Sequence, residues 1–354
     1  MIVADSHLDL AMNALEWNRD LRLSVLETRR QEAGMAEKGR AAGTVAFPEM
    51  REGQVALSLA TLIARVAWPD SGVSGHRTAE IAYGHANGQL AYYRLLEARG
   101  GVRLIYDRAG LDRHLADWQE PVQGEPPLGF VVSMEGADPI VSPDQVPEWW
   151  LAGLRVVGLC HYGVSAYAHG TGNPGGLTPH GRPLLRAMER AGMILDVSHL
   201  AERAFFESLD AFGGRVLASH NNCRALVPGD RQLSDEMVRL LIQRDGVIGA
   251  VMDAWMLYPD WRKTETTRDV VSLESFVDHL DRVCQLAGNA RHAAIGSDLD
   301  GGYGTEQCPR DLDTIADLQK LPDMLRRRGY AESDVRLVMH GNWFRLLGEA
   351  LPAT

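Results

Sequence analysis

Cysteine is scarce in this sequence: four in 354 residues, at Cys160, Cys223, Cys284 and Cys308, with no Cys-x-x-Cys pair. Such spacing suggests neither a zinc ribbon nor a disulfide scaffold. There is no basic excess either. Lys plus Arg number 36 against 47 Asp plus Glu, a net charge of −11, which argues against nucleic acid or an anionic membrane as the main partner. No run approaches the roughly 18 consecutive apolar residues of a transmembrane helix, so no membrane span is expected. The N-terminal Met1-Ile2-Val3-Ala4-Asp5 lacks the basic and apolar regions of a signal peptide, and the expected location is the cytoplasm. The chain shows neither internal repeats nor low-complexity segments. Hydrophobic residues at 45% and charged residues at 23% are ordinary for a globular protein and exclude a disordered one.

What is there is a recurring pattern: a short apolar run ends in polar residues and a helical segment follows. Ile2-Val3-Ala4 leads into Asp5-Ser6-His7, and Gly129–Ser133 into Met134-Glu135-Gly136. Arg155–Cys160 leads into His161, Met193–Ser198 into His199, Arg215–Ser219 into His220, and Ala293–Ser297 into Asp298. Gly246–Met252 is another run, and a weaker one at Thr44–Phe47 brings the count to eight. Short β-branched runs of this kind read as buried strands.

Helical stripes lie between them. Leu184, Leu185, Met188 and Ala191 share a face that ends near Gly192. Ser234 is placed to cap a helix with Asp235 and Glu236 in its first turn, where the helix dipole favours negative charge. Leu273, Phe276, Leu280, Val283 and Ala287 form a third stripe, stopped at Gly288. Strand and helix in alternation predict an α/β fold with a parallel sheet. Eight units in series predict one (β/α)8 barrel over residues 1–354, with its site at the C-terminal ends of the strands. Pro121–Pro127 reads as a surface loop, and Asn173-Pro174-Gly175-Gly176 as a loop placed to cover that site.

His7-x-Asp9 puts two side chains on one side of a strand end, and imidazole with carboxylate suits a divalent metal such as zinc. Alone, the pair is an incidental turn. Glu135 at the end of an apolar strand must be hydrogen-bonded, paired or metal-bound; alone, it caps a loop. His199 and His220 each follow an apolar-Ser pattern, and each alone is a rim histidine. Together, three histidines and two carboxylates exceed the needs of one tetrahedral metal and suffice for two metals sharing a carboxylate. Asp298 is a further ligand or a general acid/base, whereas Asp300 reads as an Asx-turn residue. His161 donates to an oxyanion or is structural. Arg231, in Gly229-Asp230-Arg231-Gln232, is a surface arginine or a fork for a substrate carboxylate. His76, His85, His114 and the other histidines in helical or loop contexts read as structural, and His169 stays open. The eight tryptophans form no stripe or cage and read as packing.

At these residues the sequence resembles the membrane (renal-type) dipeptidase family, the zinc peptidases of family M19. The matching segments are Asp5–Leu10, Met134-Glu135-Gly136, Leu195–His199, Ala218-Ser219-His220, Ile295–Gly301 and Gly341–Arg345. The resemblance implies an amidohydrolase-type barrel with two zinc ions per chain. His7 and Asp9 would hold one zinc and His199 and His220 the other, with Glu135 bridging. A hydroxide between the metals would attack the peptide bond of a dipeptide, and Asp298 would shuttle the proton. His161 and Arg231 would bind substrate, and the chain would form a homodimer. Two neighbours depart from the family pattern: Leu8 stands where an Asn is usual before Asp9, and Ala11-Met12 stand where Pro-Trp is usual. These positions shape the substrate pocket, so a hydrolase of another small amide, lactam or ester is the rival reading. A metal-binding barrel without catalysis would lack Asp298 or a ligand, and none is lost.

Overall fold

A computed structural model describes residues 1–69, 72–120 and 124–353. Nine strands form one parallel sheet. They are β1 (Val3–Leu8), β2 (Val55–Ile63), β3 (Val102–Leu104), β4 (Leu128–Glu135), β5 (Leu154–Gly158), β6 (Ile194–Asp196), β7 (Val216–Leu217), β8 (Ile248–Ala250) and β9 (Ala293–Ile295). Their order is β7-β6-β5-β4-β2-β1-β9-β8, and Ala218 bridges Ile248 to bring β7 against β8. Eight strands thus complete the predicted barrel. The ninth, β3, pairs with residues 128–130 of β4, below the stretch 132–135 that pairs with β5. Every strand-to-strand connection carries at least one helix.

The three expected helices are present with their stop and start signals. The helix Gly181–Ala191 ends at Gly192, whose φ of 78° is left-handed. The Ser234 side chain accepts from the Met237 amide and caps Asp235–Gln243. Leu273–Ala287 stops at Gly288, φ 69°; glycine enters this region without a Cβ penalty.

The expected strand at Thr44–Phe47 is absent, and its place in the barrel is taken by Val55–Ile63. Asp300 explains the difference. Its carboxylate accepts from the amides of Thr44 (2.7 Å) and Val45 (3.0 Å), from the Thr44 hydroxyl and from Arg19. Backbone donors that a sheet neighbour would have taken are therefore satisfied by a side chain, and a helix starts at once at Phe47–Glu52. Asp300 is thus a buried anchor for a distant segment. Of the expected loop at Pro121–Pro127, residues 121–123 lie outside the described residues, and 124–127 are in neither helix nor strand. The Asn173–Gly176 loop packs toward the helix Glu202–Ala211, where the Ala204 amide donates to Gly175. The cavity wall described below does not include it.

Side chains alternate along each strand. One set, including Ala4, Leu57, Val131, Val156, Ile194, Leu217 and Ala294, forms a cluster separate from the main core and packs with Trp343, Phe344, Leu346 and Leu347 of the last helix (Asn342–Ala350). By the same alternation Ser133 and Glu135 follow Val131, Asp196 follows Ile194, and Ser219 follows Leu217 on the inward face. The inward face therefore turns from apolar to polar along the strands. Near this transition space is short. A Cβ on Gly249 or Gly296 would lie 2.1 or 1.8 Å from the Ser219 carbonyl oxygen, and would also crowd the Ser6 hydroxyl.

Candidate metal centre and active site

The sequence-predicted residues converge. His7 lies near the end of β1 and Glu135 ends β4, while His161, His199, His220 and Asp298 each stand three residues past the end of β5, β6, β7 and β9. Glu135 Oε1 is the hub. It is 3.1 Å from His199 Nε2, 3.2 Å from His220 Nε2, and 3.7 Å from Nε2 of both His7 and His161. His7 Nε2 is also 3.7 Å from Asp9 Oδ1 and from Asp298 Oδ1. Three overlapping triads result: His7–Glu135–His220, Glu135–His161–His199 and His7–Asp9–Asp298, the ligand atoms of each lying within 4.8 Å of one another. His199 and Asp298 have positive φ, 66° and 58°, uncommon outside glycine and often found at functional sites.

Burial dominates the electrostatics. It pushes His7 and His161 down to about 3, against the opposing pull of the Glu135 carboxylate. His199 and His220 lie well below the usual histidine range through burial and then the Arg231 charge. Burial would raise Glu135, but His161, His7 and Arg231 outweigh it and leave it below the ordinary carboxylate range. Asp9 and Asp298 are raised, first by burial and then by repulsion from neighbouring carboxylates. Neutral imidazoles around crowded carboxylates make a centre short of positive charge. His7 Nε2 and Asp9 Oδ1 are buried without a hydrogen-bond partner, although buried polar atoms are nearly always paired. Nitrogen and oxygen donors, bare and converging, fit a divalent metal centre.

Groups behind the rings orient two of them. Ser219 donates to Asp196 Oδ2 (2.5 Å), so its oxygen is left to accept from His220 Nδ1 at 2.7 Å. Thr171 directs its hydroxyl hydrogen toward the His199 carbonyl (3.4 Å) and accepts from His199 Nδ1 at 3.0 Å. Both arrangements place the proton on Nδ1 and turn the two Nε2 atoms, 3.0 Å apart, toward the centre as candidate ligands.

The centre opens into a cavity of about 980 Å³. Arg231 lines it, yet is only 3% exposed. Its Nη2 donates to the His220 carbonyl at 2.8 Å, while Nε and Nη1 have no partner. Several cavity residues are not signalled by the sequence reading, Arg65 and Asp253 among them. Arg65 follows β2, and Asp253 stands three residues past β8, the same step as the residues above. That step was the signal by which Asp253 could have been found. Trp255 and Trp261 also line the wall, and Trp261 packs against the main core as well. His76, read as structural, lines the cavity too.

The family model for membrane dipeptidase, peptidase family M19, matches residues 1–353. The chain belongs to the membrane dipeptidase family. Membership in family M19 makes it a hydrolase of the metallo-dipeptidase class. Among curated relatives, a dipeptidase, tcpJ, of Claviceps purpurea is 31% identical over 204 residues, which cover 56% of this chain and 45% of that one. Two solved structures share the fold. The dipeptidase AC, a metallopeptidase, superposes with a TM-score of 0.82 at 24% identity, over 100% of this chain and 99% of that one. A metallopeptidase from Rhodobacter sphaeroides, bound to a phosphinate mimic of L-Ala-D-Ala, gives 0.80 at 24% identity over 99% of each chain. Among the described residues no helix is long and apolar enough to cross a membrane.

Proposed function

We propose that this chain hydrolyses the peptide bond of free dipeptides, using two zinc ions at the barrel rim. The observation that carries the reading is Arg231. A buried guanidinium with two unpaired donors on a cavity wall calls for an anion, and the free carboxylate of a short peptide supplies one in matching fork geometry. His7 and Asp9 would hold one zinc, His199 and His220 the other, and Glu135 would bridge. Bound there, zinc would supply Lewis acidity, polarising the peptide carbonyl and lowering the pKa of water toward about 7.

The remaining work falls to side chains. Asp298 would take the proton of the attacking water and deliver it to the leaving nitrogen as the C–N bond breaks. His161 would donate a hydrogen bond to the carbonyl oxygen as it gains negative charge. The reading takes residues 1–354 as one catalytic barrel working as a homodimer in the cytoplasm.

A charge-assisted hydrogen bond contributes about 1.5–3 kcal/mol. Arg231→Met should therefore lower kcat/KM on a free dipeptide by roughly 10- to 150-fold. Dipeptide amides lack the carboxylate, so they should be poor substrates that hardly notice the substitution. Wild type and Arg231→Met, each assayed on L,L and L,D dipeptides and on their amides, provide the test. Equal losses on acid and amide would remove Arg231 as the clamp. Faster turnover of amides or lactams by wild type would favour the rival substrate class.

A further inference from the structure

Distance does not separate His161 from the ring nitrogens proposed to hold metal, because His161 shares a triad with Glu135 and His199. What lies behind each ring does. His220 is backed by a carboxylate acting through Ser219, and His199 by a threonine hydroxyl. Behind His161 stands an arginine: Arg65 Nη1 lies 2.5 Å from His161 Nδ1. A guanidinium has donors only. His161 Nδ1 must therefore offer a lone pair, and in the neutral ring the single proton resides on Nε2. That nitrogen lies 3.7 Å from Glu135 Oε1, on the side of the converging ligands.

Arg65 is firmly placed for this task. Its Nε donates to the Ser74 carbonyl at 2.7 Å, and its own carbonyl accepts from the His76 amide at 2.9 Å. The next amide, Val66, donates to Asp138 Oδ2 at 2.8 Å. Gly75 lets the supporting segment come this close: a Cβ there would lie 2.7 Å from the Arg65 carbonyl oxygen and 2.8 Å from the Ala67 nitrogen.

We propose that Arg65 is a positioning residue for the hydrolysis: by donating to Nδ1 it fixes His161 as an Nε2–H donor, excluding that ring from metal coordination and aiming an N–H at the reacting carbonyl. The carbonyl's identity rests on the dipeptidase reading above; the proton's position does not. The same fold thus presents histidines of opposite polarity around one carboxylate, two with bare Nε2 and one with Nε2–H.

The test uses zinc-loaded enzyme labelled with ¹⁵N in its histidine rings. Long-range ¹H–¹⁵N correlation spectra distinguish bare from protonated ring nitrogens, and His161→Gln identifies the signals of His161. Wild type should show Nδ1 bare and Nε2 protonated at His161, the reverse of the pattern at His220. Losing an oxyanion donor outright typically costs about 10²–10³ in rate, and Arg65→Met keeps part of the donor population. It should lower kcat by about 10-fold with KM within about 2-fold, retain both metals and show a mixed His161 pattern. Arg65→Lys should recover part of kcat. A protonated Nδ1 in wild type would overturn the proposal, as would Arg65→Met that raises KM while sparing kcat, the behaviour of a residue that grips substrate. The spectra need no substrate, so a wild type that turns over no dipeptide yet keeps the His161 pattern counts against the dipeptidase reading and for the assigned proton position.

Discussion

Near the start of each barrel strand the inward face is apolar, and the last helix closes it with Trp343, 2% exposed, and Leu346, 1% exposed. At the other end the same strands present Glu135, six histidine and aspartate groups past their ends, and unpaired polar atoms. The first region ties its donors to the barrel backbone: Trp343 Nε1 donates to the Ile295 carbonyl and the Asn342 side-chain nitrogen donates to the carbonyls of Ala290 and Ala293, so that of these two side chains only Asn342 Oδ1 is without a partner. The second leaves His7 Nε2, Asp9 Oδ1 and two Arg231 nitrogens without partners. One end secures the barrel while the other stays open to a ligand, and each strand serves both purposes through its alternation. Substitutions at the two ends should therefore separate in what they damage.

The largest effects belong to the open end. His199→Ala should lose at least one metal with most of the activity, whereas Asp298→Asn should keep both metals and lose about 10²–10⁴ in kcat. Metal content measured beside kcat checks both. Loss of metal from Asp298→Asn would make that aspartate a ligand, and a wild-type kcat would remove it from the mechanism. At the closed end, Trp343→Ala should cost about 3–5 kcat-independent kcal/mol of stability. Urea unfolding should show this shift, with kcat per folded molecule changed less than about 2-fold. A large drop in kcat in fully folded protein would break the separation.

The smallest effect concerns acid. His114, on the helix Arg108–Gln119, bonds the Ala56 carbonyl through Nε2 (2.8 Å), and its Nδ1 is buried without a partner. Burial lowers its pKa from 6.5 to about 4. The unfolded chain thus binds this proton first as pH falls, and between about 6.5 and 4 folding loses about 1.4 kcal/mol per pH unit from this group. The dependence of unfolding free energy on pH should be flatter by about one proton in His114→Gln than in wild type across pH 5–6. Identical slopes would show that His114 is not held neutral by the fold.

The strands that end in chemistry were the legible ones. β1 and β4 through β7, with β9, appear where apolar runs meet His, Asp or Glu, and their proposed ligands do converge. β2 was missed because Val55–Ile63 mixes Leu and Ala with its β-branched residues and ends in no titratable group, so burial decides its state. Its helper Arg65 was missed with it. Arg231 is legible as a candidate carboxylate fork, but its Gly-Asp-Arg-Gln loop reads equally as surface, and only the packed fold shows that the guanidinium is buried. Asp253 is hidden because the apolar run before it finishes at Met252, although counting three residues from the end of β8 leads to it.

Gly249 and Gly296 show how narrow the tolerance for engineering is where the two regions meet. Replacing glycine by alanine at compatible positions commonly stabilises a protein by about 0.4–1 kcal/mol, through a less flexible unfolded chain. At these two positions the added methyl would press on the Ser219 backbone, and Ser219 is the hydroxyl that steers His220. A library selected for heat resistance would therefore be filtered twice at these sites, once for folding and again for metal affinity. Alanine there should vanish from survivors chosen by activity even where a neighbouring segment gives way enough to admit it.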